Sequence, residues 1–237
     1  MLDKITVVIP NFRTLGLIKR AVKGFVRYYP QVRLLLIDNN SKDASTKYIR
    51  GMAGSAYNIK VVLNHVNAGH GPAMHQGVFL STTRWVCLID SDCIFQQAGS
   101  LEGMASHFSN PKVYAAGEKV LVDRGGNTSK KGVPYILPSR MMVDRQKYWE
   151  LPPFNHHGAP AVLNMQGAIK KGYLVVNVPK LDKYIHHPGR GLLKGGSHKK
   201  YGIPGWSSKK YYLPKSAQTA KQRLKNARPT ILGEWST

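Results

Sequence analysis

The chain has 237 residues, 42% of them hydrophobic, which is enough apolar material for a packed core and excludes a wholly disordered protein. Its 35 Lys and Arg against 12 Asp and Glu give a formal charge of +23, an excess that attracts polyanions such as nucleic acid, acidic glycans or anionic lipid surfaces. Only Cys87 and Cys93 are present, too few for a disulfide scaffold and not spaced like zinc ligands, so a reducing cytoplasm is the expected compartment.

The first residues, Met1 to Lys4, lead straight into the apolar run Ile5 to Ile9. No run approaches the roughly 18–20 residues that span a bilayer, so neither a signal peptide nor a membrane span is expected. Strands are predicted at Ile5 to Ile9, Val32 to Ile37, Ile59 to Leu63 and Trp85 to Ile89. Each is almost continuously apolar, as a strand covered on both sheet faces must be. Cys87 falls inside the last of these and reads as core. Helices are predicted between them at Leu15 to Tyr28, Asp43 to Met52 and Gly71 to Ser81. In the first, Leu17, Ala21, Gly24 and Phe25 share one face while Lys19, Lys23 and Arg27 face water. Such alternation predicts an α/β fold with a mostly parallel central sheet and flanking helices.

Beyond Asp92 the pattern loosens. A helix near Ser100 to Phe108, a strand Val113 to Val122, a Gly- and Lys-containing loop Arg124 to Gly132, a helix Pro160 to Lys171 and a strand Tyr173 to Val178 are expected. From His186 the chain is rich in Gly, Pro, Lys and Tyr, with 11 Lys and Arg against the single acid Glu234. It reads as an extended basic segment with one helix at Ala217 to Ala227. Residues 1–110 carry 12 basic and 6 acidic side chains, a surplus of +6, whereas 111–237 carry 23 and 6, a surplus of +17. The organisation expected is a domain over 1–185, with a ligand-binding half at 1–95 and a second half at 96–185, followed by a basic segment at 186–237.

The chemistry concentrates where the parallel strands end, the edge at which open α/β sheets bind ligands. Asp90-Ser91-Asp92 follows Trp85 to Ile89, and two carboxylates at a strand end can turn toward one hard divalent cation, although a solvated turn is the plain alternative. Asp38-Asn39-Asn40-Ser41, with Asp43, follows the second strand. Ser41 or Asp43 can cap the next helix, while Asp38 is placed to present a carboxylate to a base or ribose. Asn67-Ala68-Gly69-His70-Gly71-Pro72 can open a helix whose free N–H groups face an anion. Pro10-Asn11-Phe12-Arg13 ends the first strand beside them. His70 and His75 lie nearby, and Tyr148, Trp149 and Phe154 are aromatic candidates for stacking or for core.

Taken in order, Val7-Val8-Ile9-Pro10-Asn11, Ile37 to Asp43, Asn67-Ala68-Gly69 and Leu88 to Asp92 resemble the family 2 glycosyltransferases with the GT-A fold. The likeness covers about residues 4–95. Lys171-Gly172-Tyr173 to Pro179 resembles a later helix and strand of that family, and Ile185-His186-His187-Pro188 a segment that often returns a His to the metal. The resemblance implies a transferase moving one sugar, with inversion, from a nucleotide-diphosphate sugar to a hydroxyl acceptor. UDP-linked donors are the commonest case in the family. It implies further that Pro10, Asn11 and Asp38 hold base and ribose, with Asn67, Gly69, Asp90 and Ser91 around the same ligand. Asp92, with Asp90 and with His186 or His187, would hold Mn²⁺ or Mg²⁺.

One departure from the family pattern stands out. Members carry an acidic residue shortly before the later helix as the base for the acceptor hydroxyl, but here the stretch reads Asn155-His156-His157-Gly158-Ala159-Pro160-Ala161. Either an imidazole, His157 before His156, takes that proton, or Asp144 or Glu118 does, or the chain is not an active transferase. The basic second half makes a polyanionic acceptor the expectation, DNA ahead of an acidic glycan or of a lipid-linked acceptor reached by peripheral contact with a membrane. The reading from another class is a non-catalytic nucleic-acid-binding protein on the same fold.

Overall fold

The computed structural model describes residues 1–55, 57–123, 128–155, 159–187 and 229–235. Its N-terminal half is built from β1 (Ile5–Asn11), α1 (Leu15–Tyr28), β2 (Arg33–Asp38), α2 (Ala44–Met52), β3 (Ile59–Leu63), α3 (His70–Leu80) and β4 (Trp85–Ile89). Then come β5 (Ile94–Phe95), α4 (Ser100–Ser106), β6 (Val113–Val122), β7 (Val133–Asp144), α5 (Arg145–Tyr148), α6 (Val162–Lys170), β8 (Leu174–Asn177), β9 (Ile185–His186) and β10 (Thr230–Leu232). The main sheet runs β10-β3-β2-β1-β4-β7-β6-β8. Strands β3, β2, β1 and β4 are parallel, and β7 lies antiparallel between β4 and β6.

Side chains of a strand alternate between sheet faces, and that alternation divides the core in two. Ile5, Val7, Ile9, Leu34, Leu36, Val61, Cys87 and Ile89 meet Ile18, Ala21, Val22 and Phe25 of α1, Ile49 of α2 and Leu101 of α4. On the other face Val8, Leu35, Ile37, Val62, Val86 and Leu88 meet Ala73, Met74 and Val78 of α3 and Met165 and Ala168 of α6. The continuous apolar runs of β1, β2 and β4 thus follow from a three-layer α/β/α arrangement that covers both faces of these strands. Among the described residues no helix is long and apolar enough to cross a membrane.

Two expectations change. Residues 133–144, for which no element was expected, form the strand beside β4, carrying Ile136, Met141 and Val143 into one core and Met142 into the other. Within 186–237, expected as an extended basic segment, Thr230–Leu232 form a strand that pairs with β3, and His186 pairs with Ile94. Residues 188–228, which hold the basic run and the helix expected at 217–227, lie outside the described residues.

Gly77 lets α3 approach the sheet. A Cβ there would lie 2.3 Å from Cγ1 of Val8, a buried β-branched side chain that has no free direction in which to move. Gly77→Ala should therefore lower stability by up to about 2 kcal/mol, an overpacking penalty of about 1–3 kcal/mol set against a gain in helix propensity of about 1 kcal/mol. Gly51→Ala, where a Cβ meets nothing within 4 Å, should be neutral or stabilising. Urea denaturation of both variants checks the contrast.

Candidate functional site

The ends of β1 and β2 are tied together by buried polar side chains. Asn11 Nδ2 donates to Asp38 Oδ1 at 3.0 Å, to Ser41 Oγ at 3.1 Å and to Ser45 Oγ at 3.0 Å. Ser41 Oγ also donates to Asp38 Oδ1 at 2.5 Å, while Oδ2 accepts from Ser41 N at 3.2 Å and Thr46 Oγ1 at 2.8 Å. A carboxylate has about four acceptor positions; those of Asp38 are filled from within, and the residue is 1% exposed. Asp38 thus organises the loop, its carboxylate facing Asn11, Ser41 and Thr46. Pro10 and Asn11 are also buried and form the floor beneath the loop.

What this network organises is strained backbone. Arg13, Asn40 and Lys42 have φ of 56°, 64° and 53°, the left-handed region that non-glycine residues seldom occupy. Arg13 is held there by N–H and Nε–H donations to Ser41 Oγ and Ser41 O at 2.9 and 3.1 Å. Asp38→Ala should strand buried donors on Asn11, Ser41 and Thr46, lowering stability by about 2–4 kcal/mol and loosening both loops. Thermal denaturation read beside UDP calorimetry checks this: weakened nucleotide binding with unchanged stability would restore a direct contact.

The third strand end is stapled to the second. Asn39 Nδ2 donates to Asn67 Oδ1 at 2.7 Å, and Asn39 Oδ1 accepts from Ala68 N at 3.0 Å and Asn64 Nδ2 at 3.2 Å. Gly69, at φ 94°, precedes α3, a conformation open to glycine at no steric cost. The start of α3, with His70, thereby stands beside the strand ends.

The Asp-Ser-Asp turn follows β4, closed by Cys93 N donating to Asp90 O at 3.0 Å. Thr14 Oγ1 donates to Ser91 Oγ at 3.0 Å, joining the turn to the network around Asn11. The two carboxylates face different partners: Asp90 Oδ1 lies 3.4 Å from His70 Nε2, and Asp92 Oδ1 3.3 Å from His187 Nε2. Burial, and then the charge of Asp92, lift the Asp90 pKa above the usual carboxylate value, while His70 and His187 oppose them. Burial alone would lower the His187 pKa, but the hydrogen bond and charge of Asp92, with the charge of Asp90, outweigh it and raise the value.

Among the described residues, donor atoms of Asp92, Cys93 and His187 come within 4.8 Å of one another. A carboxylate, an imidazole and a sulfur on one side of a strand end form a donor set that fits a divalent cation. Of the two histidines, His186 is exposed on β9 and His187 faces Asp92, as successive residues of an extended chain point to opposite sides. Asp90 stands outside the convergent set.

Behind the turn lies a residue that sequence reasoning missed. Arg140 of β7 is fully buried, pairs with Glu118 and Asp182, and donates to Ile185 O at 2.9 Å. Its strand neighbour Ser139 accepts from Asp90 N at 3.2 Å and from Cys93 Sγ at 3.3 Å. β7 thus grips both the Asp-Ser-Asp turn and the segment that delivers His187. The only signal was one arginine before the apolar run Met141 to Val143, and an isolated charge does not announce burial.

The alternative bases are accounted for differently. Glu118 is engaged by Arg140. Asp144 caps α5, accepting from Gln146 N, Lys147 N and Lys147 Nζ. It is paired with Trp85 at the start of β4, five residues and so about 16 Å from the Asp90 end, and cannot serve there. His156 and His157 lie outside the described residues. His75 Nδ1 sits 2.7 Å from Tyr148 Oη, which also accepts from Phe154 N at 3.0 Å. Tyr148 and Phe154 are core, and Trp149 is partly exposed. A cavity of about 660 Å³, lined by Val133, Pro134, Val162, Leu163 and Ile169 with Gln166 and Lys170, is mainly apolar and has no carboxylate or imidazole in its lining.

No characterised protein sequence matches the chain significantly, but solved structures do. A mannosyltransferase from Pyrobaculum calidifontis, PcManGT, in complex with GDP-Man and Mn²⁺ superposes with a TM-score of 0.61 at 17% identity, over 75% of this chain and 55% of that one. S. aureus TarS 1-349 superposes at 0.57 and 16% identity, over 77% and 59%, and its complex with UDP-GlcNAc at 0.57 and 14% identity, over 77% and 57%. The chain thus spans less than two thirds of these proteins, and at such identities the likeness speaks for the fold. The sequence itself matches the family described as Glycosyl transferase family 2 over residues 6–168, more than half of the chain, and the chain belongs to that family.

Proposed function

We propose that the protein transfers a single sugar from a nucleotide-diphosphate sugar, UDP-linked, to a hydroxyl acceptor with inversion at the anomeric carbon. The observation that carries this reading is the convergence of Asp92 and His187 at the end of β4, beside the start of α3 and the strained loops after β1 and β2. A nucleoside diphosphate leaving an anomeric carbon gains negative charge, and a divalent cation held by Asp92 and His187 would stabilise that charge as a Lewis acid. The protein's own groups do the rest. Asn11, Asp38 and Ser41 hold the loops that frame the donor, and Asn39 fixes the turn before α3. His157 takes the proton from the acceptor hydroxyl. A purely nucleic-acid-binding protein has no need for a carboxylate–imidazole pair at this strand end.

The acceptor is polyanionic, DNA being preferred, because 17 of the 23 surplus positive charges lie in residues 111–237. The test is nucleotide release from a panel of UDP- and GDP-linked sugars with Mn²⁺, each with and without DNA. UDP release stimulated by DNA is expected, and stimulation should fall with salt, since log affinity drops by about 0.9 per log unit of salt for each phosphate neutralised on duplex. No turnover of any donor overturns the enzymatic reading. Turnover indifferent to DNA overturns only the acceptor.

A further inference from the structure

We propose that Cys93 is a third protein ligand of the cation site, making it a carboxylate–imidazole–thiolate centre that holds thiophilic divalent cations such as Zn²⁺ more tightly than Mg²⁺ or Mn²⁺. The inference rests on the metal reading above and adds to it the identity of a ligand and the preference that follows. Its ground is backbone register. Strands β5 and β9 are antiparallel, with Phe95 opposite Ile185 and Ile94 opposite His186. One step further along the same register sets Cys93 opposite His187, and residues directly opposed on antiparallel chains hold their Cβ atoms about 4.5–5.5 Å apart. The turn from Asp90 to Cys93 then brings Asp92 to His187, with 3.3 Å between carboxylate oxygen and imidazole nitrogen.

The three donor atoms lie within 4.8 Å of one another. Around a tetrahedral ion with bonds of about 2.0–2.3 Å the corresponding separations are about 3.3–3.7 Å, so closing this set onto one ion shortens no pair by more than about 1.5 Å. Cys93 is fully buried, and its sulfur has one contact to give up, the donation to Ser139 O. On coordination the S–H bond breaks, its proton passes to solvent and the sulfur lone pair goes to the ion. No electron changes hands. A hard cation gains little from sulfur, whereas Zn²⁺, Cd²⁺ and Co²⁺ bind thiolate strongly, so the preference follows from the third ligand. Cys87 is buried within β4 and serves as the control thiol.

Co²⁺ alone is the probe, because a thiolate on cobalt gives an intense near-ultraviolet charge-transfer band that oxygen and nitrogen ligands do not. The full chain titrated with Co²⁺ should show that band, Cys87→Ala should keep it, and Cys93→Ser should lose it while still binding cobalt. In competition titrations Cys93→Ser should weaken Zn²⁺ by at least about tenfold and Mn²⁺ by no more than about threefold. Cobalt bound by the unmodified chain without the band, seen from its weaker visible bands and by equilibrium dialysis, overturns the thiolate and leaves the metal reading standing. No cobalt uptake overturns both. The measurement on the unmodified chain decides even if Cys93→Ser fails to fold.

Discussion

Asp92→Asn is expected to abolish transfer, by about a thousandfold or more, with the fold intact. The carboxylate stands at the end of β4, 3.3 Å from His187, and an amide of the same shape keeps its place while losing its charge. The pair is mostly buried, its side chains 14% and 15% exposed, so stability should fall by about 1–3 kcal/mol. The loss in rate is larger because negative charge develops on a leaving diphosphate, and charge stabilisation there is the largest single contribution to such chemistry. Asp90→Asn should do less, since Asp90 turns toward His70 and lies outside the convergent set. Steady-state turnover with Mn²⁺, beside thermal denaturation of each variant, checks both statements. Near-normal turnover by Asp92→Asn, or unmodified enzyme indifferent to chelator, would remove the metal from the reaction.

His157→Ala is expected to lower transfer by about 100 to 10,000 times with donor affinity preserved, the usual contribution of a positioned base. The competing carboxylates predict otherwise. Asp144→Asn disturbs a helix cap at the far end of β4 and should cost about 1 kcal/mol of stability with little effect on rate. An imidazole base must be neutral to act, so kcat/KM should fall as pH drops, as it should when the His187 ligand, whose pKa Asp92 raises, takes a proton. Full activity in His157→Ala together with a crippled Glu118→Gln would move the role to the carboxylate.

The motifs and the N-terminal strands were legible because strands buried on both faces need unbroken apolar runs, and because ligands meet an open sheet where the chain turns from strand to helix. Asp38, Asn67, Gly69 and Asp90 to Asp92 stand at those turns, and the resemblance to family 2 glycosyltransferases singled them out as ligand-site candidates. Which way each side chain points was not legible. Asp38 and Asn11 turn inward because β1 and β2 run side by side with Asn11 opposite Asp38, a pairing that local sequence does not record. The choice between His186 and His187 depends on strand phase, and that phase is set by the partner β5. β7 escaped notice because Pro134, Pro138 and Arg140 interrupt its apolar pattern, and the buried charge is satisfied only by Glu118 and Asp182 from elsewhere in the chain.

The sequence by itself therefore determined the fold class, the edge of the sheet where the site lies and the residue types gathered there, all of which depend on neighbours within a few positions. The tertiary structure alone decided which of those residues face a ligand and which face one another, that Cys93 stands with Asp92 and His187, and that the chain's end returns to β3. Those outcomes depend on register and on contacts between residues up to more than 160 positions apart, such as His65 Nε2 at 3.0 Å from Thr230 Oγ1, and such pairings form only when the whole sheet has assembled.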